Sequence, residues 1–243
     1  MRPFELVGAV YLTAPAGARA VTLEDLRRCI ASAGAASLFR HTQLQRLGED
    51  GGDTPADDLS AWVRGVVQDP ETAERLAFAV QSAPPGAEPL RERLLAALDS
   101  VPGAARERRA APEGGAFAFL TARAVPVSTG RSAEDAEALA WALEDCGRDV
   151  WFHHLVEEPW FIAGEAPLIA WLRAAGGAPL ASALERETRR RSSVDALRLA
   201  VRRHRRRSGL AGRVLASEPP ASEETRELAR RLARRLTRGG EDE

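Results

Sequence analysis

Two kinds of apolar spacing take turns along this chain. Residues 4–12 and 117–125 are apolar-rich with β-branched or aromatic side chains, and predict strands. A Gly-containing turn and a capping pattern follow each one. Thr22-x-x-Asp25 and Ser132-x-x-Asp135 put an oxygen acceptor before a helix and an acid in its first turn, where orphan amides and the dipole favour both. The helices that follow carry matched stripes, Leu23, Leu26, Ile30 and Ala33 in one and Ala136, Leu139, Leu143 and Cys146 in the other. Spacings of three and four residues make each stripe one buried face. Residues 37–42 and 150–155 read as short second strands. A second helix opens at Thr54-Pro55, with proline at its first position, and buries Leu59, Trp62, Val63 and Val66. Its later counterpart buries Leu168, Trp171 and Leu172. Asp69-Pro70 opens a third helix, and residues 90–98 form a fourth.

The parallel between the two stretches extends to single residues. A shift of 113 places Phe4 on Phe117, Gly17 on Gly130, Leu26 on Leu139, Phe39 on Phe152 and His41 on His154, without a gap. After a shortened loop a shift of 109 places Leu59 on Leu168, Trp62 on Trp171 and Pro70 on Pro179. The expectation is an α/β fold, an internally duplicated β-α-β-α-α-α unit. A helix joining two strands implies a right-handed crossover and parallel pairing. Two strands per copy are too few for a stable sheet, so the copies are expected to share one about a pseudo-twofold axis. The corresponding boundaries are 1–101 for the first copy, 102–116 for a linker and 117–208 for the second copy. An Arg-rich tail occupies 209–243, with a basic C-terminal helix at about 222–238.

These motifs bring a family into view. Ser37-Leu38-Phe39-Arg40-His41-Thr42, Asp58-Leu59-Ser60-Ala61-Trp62, the Ala111-Pro112-Glu113-Gly114 bridge, Pro126-x-x-Thr129-Gly130, Trp151-Phe152-His153-His154 and Ala170-Trp171-Leu172 occur in that order. The chain, over roughly residues 4 to 207, resembles an uncharacterised family of prokaryotic proteins, a domain of unknown function whose members look duplicated in the same way. The resemblance implies the architecture and no established activity. It also marks departures. Val150 stands where the family usually has Ser, and Ala166-Pro167 where it usually has Asn-Asp, so a polar site is expected in the first copy.

Composition narrows the setting. Of 243 residues, 44% are hydrophobic and 28% charged, which fits a folded globular protein and excludes collagen, coiled coil and disordered classes. The chain has 46 Ala and 34 Arg but neither Lys nor Asn, a skew of high-GC coding that weakens any argument from Arg content alone. No apolar run reaches 18 residues, so no membrane partner is expected. Glu5 interrupts the start of a would-be signal core, and the same pattern recurs mid-chain. With only Cys29 and Cys146 available, a reducing cytoplasm is the expected location.

Candidate chemistry centres on histidine. His41 and His154 occupy matched positions, and a twofold could bring them together for proton transfer or metal binding. The simpler reading is that each ends a strand, bonds backbone and fixes the next loop. A ligand site is expected at the repeat junction, formed by Ser37, Arg40, His41, Thr42 and His154. A tightly packed junction with both histidines buried and bonded to backbone would overturn it. Ser37 and His41, ~13 Å apart along a strand, do not form a nucleophile–base pair. His153-His154 faces both ways on a strand, so no metal is expected, and Glu157 and Glu158 join only if the loop folds back. No cofactor and no catalytic residue are assigned. Trp62 and Trp171 read as core, whereas Trp151 and Trp160 leave room for one on an exposed sheet face.

Charge is unevenly distributed. Residues 186–243 hold 17 Arg against 9 acids, while residues 1–185 hold 17 Arg against 26 acids. Arg202, Arg203, Arg205, Arg206 and Arg207 form the densest basic run and a candidate anion-binding surface. The expected function is a ligand- or partner-binding scaffold rather than an enzyme, its partner a small molecule or a protein. The alternatives are an anion-binding adaptor for nucleic acid or acidic protein, with nucleic acid not favoured, and a transferase or hydrolase without a recognisable motif.

Overall fold

The apolar segments that open the two stretches continue well past their hydrophobic patterning. In the computed structural model, which describes residues 1–47, 57–162, 164–190 and 194–216 with side chains through 207, β1 (Phe4–Ala20) and β2 (Phe117–Ala133) are 17 residues each. They pair antiparallel, from Phe4 opposite Ala133 to Ala20 opposite Phe117. The register slips between Leu6 and Val7 and between Pro15 and Arg19. Gly17 and Gly130, at φ +80° and +67°, lie in these irregular stretches, where a left-handed residue re-aims the strand at low steric cost.

Between the strands come α1 (Leu23–Ser32), α2 (Ala35–Thr42), a 3-10 turn (Leu44–Leu47), α3 (Asp58–Gly65), α4 (Pro70–Ser82), α5 (Ala87–Asp99) and α6 (Gly103–Arg108). After β2 come α7 (Ala136–Glu144), α8 (Arg148–Phe152), a π-helical turn (His153–Glu157), α9 (Glu158–Phe161), α10 (Pro167–Ala174), α11 (Ala178–Arg189) and α12 (Val194–Ala216). The fold is thus mixed α/β. Thr22 and Asp25 form the reciprocal capping box expected for α1. Asp69 caps α4 at Thr72 N with Pro70 in the first turn. The cap of α7 is Asp135, accepting from Ala138 N, not Ser132, which remains in β2 opposite Glu5. No helix among the described residues is long and apolar enough to cross a membrane. The basic helix expected at 222–238 lies outside the described residues.

The second strands are corrected. Residues 37–42 lie in α2, and 150–155 lie in α8 and the π turn. Ser37, Leu38, Phe39, His41 and Thr42 are all buried while Arg40 is not, so neighbouring residues share one face and recur a turn later, which a helix allows and the alternating faces of a strand do not. With those strands gone, the expected parallel crossover goes too. The sheet of the described residues has two strands, β1 and β2, and they run antiparallel.

Two cores flank the ribbon. One gathers Leu23, Leu26 and Ile30 of α1, Leu38 and Phe39 of α2, Trp62 of α3 and Leu76 of α4, with Phe117 and Phe119 from the start of β2. The other gathers Leu139 and Leu143 of α7, Trp151, Leu172 and Leu184, with Leu6 from the start of β1. Each strand therefore begins in the core of the helices that follow the other strand. Each fully buried large side chain contributes about 1.5–3 kcal/mol to holding this exchange in place.

Candidate functional site

Two residues of α2, Ser37 and His41, close on one residue of β2, and Asp58 of α3 backs His41 from behind. Because α2 is helical, Ser37 and His41 lie one turn apart, ~6 Å along the axis, rather than the ~13 Å of a strand. Ser37 Oγ donates to the Leu120 carbonyl at 2.7 Å, and His41 Nε2 accepts the Leu120 amide at 2.8 Å. Together they satisfy the outward backbone groups of an edge strand, as a third strand would. The amide fixes the His41 tautomer, so Nδ1 carries the proton and donates to Asp58 Oδ2 at 2.8 Å. Arg40 Nη1 donates to the same oxygen at 3.0 Å, and Gln45 donates to Asp58 Oδ1. Thr42 Oγ1 donates to Leu38 O within the helix.

A related clamp grips β1. His154 Nε2 accepts the Val7 amide at 3.1 Å, and its Nδ1 donates to Glu158 Oε2 at 2.9 Å. Phe4 packs on His154 and Trp171 at centroid distances of 5.0 and 5.5 Å. Phe117 packs on His41 and Trp62 at 4.8 and 5.7 Å. Trp171 Nε1 donates to Arg2 O at 2.9 Å, and Trp62 Nε1 to Gly115 O at 2.8 Å.

The π turn adds a cluster that a strand would have separated. On a helix His153 and His154 both face inward, and Glu157 and Glu158 follow at i+4. His153 Nδ1 lies 2.8 Å from Glu157 Oε2, which also accepts from Tyr11 OH at 2.5 Å. Burial opposes charge on His153, but the hydrogen bond and charge of Glu157, then Glu158 and Asp149, raise its pKa above the ordinary value. Burial and then Glu157 push the Tyr11 hydroxyl far up, so it stays a donor. His153, His154 and Glu158 offer potential ligand atoms within 4.8 Å of one another. Yet the Val7 amide occupies His154 Nε2, leaving Nδ1 as the protonated donor. A metal there would have to strip that proton from an imidazole already accepting a hydrogen bond. The geometry is that of a hydrogen-bonded cluster.

Both candidate histidines are therefore buried, 2% exposed for His41 and 3% for His154, with both ring nitrogens engaged. This is the packing that counts against a ligand on the imidazoles themselves. They do not meet across an axis. Each holds a strand, and Ser37, Arg40 and Thr42 are engaged beside His41.

The open space lies just past the end of α2. A groove of about 420 Å³ runs between Gln43 and Arg46, the α4–α5 connection at Pro84 and Pro85, the residues Leu155, Val156, Pro159 and Trp160, and the end of α11 at Thr188 and Arg189. Trp160 is 5% exposed, and its indole N–H is buried without a protein partner. Trp151 is buried as well, so neither indole lies on an exposed sheet face. Sequence patterning left Trp160 unassigned and did not reach Gln43 or Arg46, because four distant segments assemble this wall. A wider groove of about 590 Å³ separates α4 from α5 beside the exposed Phe78. Its cations are engaged: Arg75 meets Glu71 and Ser100, and Arg93 meets Ser82.

The basic run divides by direction. Arg205 turns inward to pair with Glu144 and stack 3.0 Å over the Trp141 ring. Arg202, Arg203, Arg206 and Arg207 stay exposed on α12, in two rows one turn apart.

A two-stranded ribbon gripped from each side by helices, with clamps of histidine and carboxylate, defines an α/β protein with a groove at its seam. The chain belongs to a family of unknown function, DUF5752, whose model matches residues 1–203. The solved structure of OrfY from Thermoproteus tenax aligns with a TM-score of 0.70 at 24% identity, covering 83% of this chain and 93% of that one. At that identity the likeness shows the fold. No curated protein matches the sequence.

Proposed function

We propose that the protein is a small-ligand-binding module, built from two copies of one unit, with its ligand in the groove at their seam. The duplication reading is supported by contacts that repeat at the 113-residue shift. Val7 and Leu120 meet the paired histidines, Arg2 and Gly115 meet the paired indoles, and Phe4 and Phe117 pack beside both. On this reading the copies exchange their strands, and the imidazoles are structural. The ligand site then shifts from Ser37, Arg40, His41, Thr42 and His154 to the stretch immediately beyond them.

The observation that carries the binding reading is the groove itself, about 420 Å³ lined by segments from both halves of the chain, with Trp160 in its wall. The test is a thermal-shift screen of small metabolites on the full chain and on Trp160→Phe. A ligand at 100 times its Kd stabilises the native state by about 2.7 kcal/mol. Shifts that shrink in the variant support the groove, and shifts identical in both proteins reject it.

A second reading rests on Arg202, Arg203, Arg206 and Arg207, exposed together on α12 and suited to a polyanion. Anisotropy of a labelled single-stranded DNA 20-mer is then expected to show a log–log salt slope near −3, from four contacts at ~0.7 each. Replacing the four with Gln should flatten that slope, and an unchanged slope rejects the reading.

A further inference from the structure

Resting on the polyanion reading of α12 above, we infer that the polyanion is a single-stranded nucleic acid, with one of its bases stacked on the open face of Trp141. Trp141 lies on α7, against which α12 packs, and is 57% exposed, a large flat ring left in water. Arg205 of α12 lies over one face of that ring, 3.0 Å from its centroid, and pairs with Glu144 one turn along α7. The cation fixes the indole and leaves the opposite face to another planar group. Arg202 and Arg206 flank Arg205 at i−3 and i+1 on α12, with Arg203 and Arg207 following, and all four are exposed. None of the four pairs with an acid among the described residues. Leu199, 46% exposed, stands one turn before Arg202 and Arg203.

The acids nearby are engaged or set back. Glu144 is held by Arg205, Asp145 lies 3.9 Å from Arg131, and Asp195 meets Arg148 at 2.8 Å. Glu134, Asp135 and Glu137 lie a turn or more back, toward the start of α7. Four guanidinium groups thus stand beside one open indole. Phosphates suit the arginines and an unpaired base suits the indole, because every base has a flat π face and stacking asks for no particular sequence. A duplex keeps its bases stacked on one another, so it would use the arginines alone. An acidic peptide gains nothing from the ring, whose face is electronegative and repels a carboxylate. An anionic bilayer would also draw the arginines, but one indole pinned by Arg205 and one leucine give it little apolar area to bury.

The test measures anisotropy of labelled probes on the full chain: an all-thymidine DNA strand, an abasic strand of the same length and a duplex of that length. Phosphatidylserine vesicles are sedimented with the chain alongside. The wild-type chain is expected to bind the thymidine strand about tenfold more tightly than the abasic one. Trp141→Leu is expected to lose that margin while holding the abasic strand with an unchanged affinity and salt slope, which also reports that the fold and the arginines are intact. Trp141→Phe, which keeps a flat ring, should keep most of the margin. Binding of the duplex should be the same for the wild type and Trp141→Leu, and a tenfold loss there overturns the stacked base, since a duplex offers none. If Trp141→Leu holds the thymidine strand as tightly as the wild type, with the salt slope intact, the stacked base falls and the polyanion reading stands. If the vesicles sediment the chain and the thymidine strand does not compete, the partner is a membrane and the nucleic-acid assignment falls. If no strand shows salt-dependent binding, both this inference and the polyanion reading fail.

Discussion

His41 and His154 perform one task on opposite strands and are supported in different ways. His41 takes its carboxylate from Asp58 on α3, so the clamp ties α2, α3 and β2 together, with Arg40 and Gln45 on the same acid. His154 takes its carboxylate from Glu158, four residues on, and closes within a single stretch of helix. Shifted by 109, Asp58 falls on Pro167, so α10 has no acid to offer there. Shifted by 113, Ser37 falls on Val150, which cannot reach for a strand carbonyl. The constant element is the imidazole acceptor facing a strand amide. What varies is the source of the carboxylate that fixes the tautomer, and a π turn with an acid at i+4 is one sufficient source.

That difference sets an order of costs. His41→Leu removes the acceptor of a strand amide and orphans part of a shared carboxylate, at an expected cost of about 3 kcal/mol. His154→Leu, whose carboxylate serves a smaller network, is expected to cost about 2 kcal/mol by the same reasoning. Equilibrium urea unfolding of both variants measures the gap, and equal losses would mean that Asp58 does not couple the elements it touches. The carboxylates should rank likewise. Asp58→Asn, with three side chains depending on it, is expected to lose about 2 kcal/mol, and Glu158→Gln about 1 kcal/mol because its amide oxygen still accepts from His154. A reversed order would place the support of the first clamp elsewhere. Ser37→Val, which gives the first clamp the residue found in the second, should cost about 1 kcal/mol for one lost hydrogen bond. A neutral Ser37→Val would show that the Leu120 carbonyl is satisfied by water.

Some of this arrangement was readable from residue order, and some was not. The Thr22 and Asp69 caps and the stripes of α1 and α7 are local, so spacing alone located them. The paired positions of His41 and His154 were visible as well. Residues 37–42 misled because six residues with Phe, Thr and Leu fit either period, and the helix is decided by burial against β2, whose Leu120 is 79 residues beyond His41. That one error of period separated Ser37 from His41 and sent His153 and His154 to opposite faces. The groove was out of reach for a different reason. It is made of four segments from both sides of the ribbon, an assembly that no pattern of residue types encodes.

The smallest expected effect sharpens the comparison most, because the second clamp sits beside His153, whose pKa is raised by its acidic neighbours. His153 faces Glu157, Glu158, Asp149, His154 and Tyr11, and its pKa is raised above the ordinary 6.5 because these acids outweigh its burial. A group whose pKa is higher folded than unfolded adds stability that is complete below the unfolded value and disappears as pH rises through the folded one. The stability difference between the wild-type chain and His153→Gln is therefore expected to be full below pH 6.5 and to shrink as pH rises above it. Tyr11 keeps its proton across that range, so its bond to Glu157 does not contribute to the change. A difference that widens with pH would mean that burial, not Glu157, governs His153, and the π turn would then be a packing feature with no electrostatic role beside its clamp.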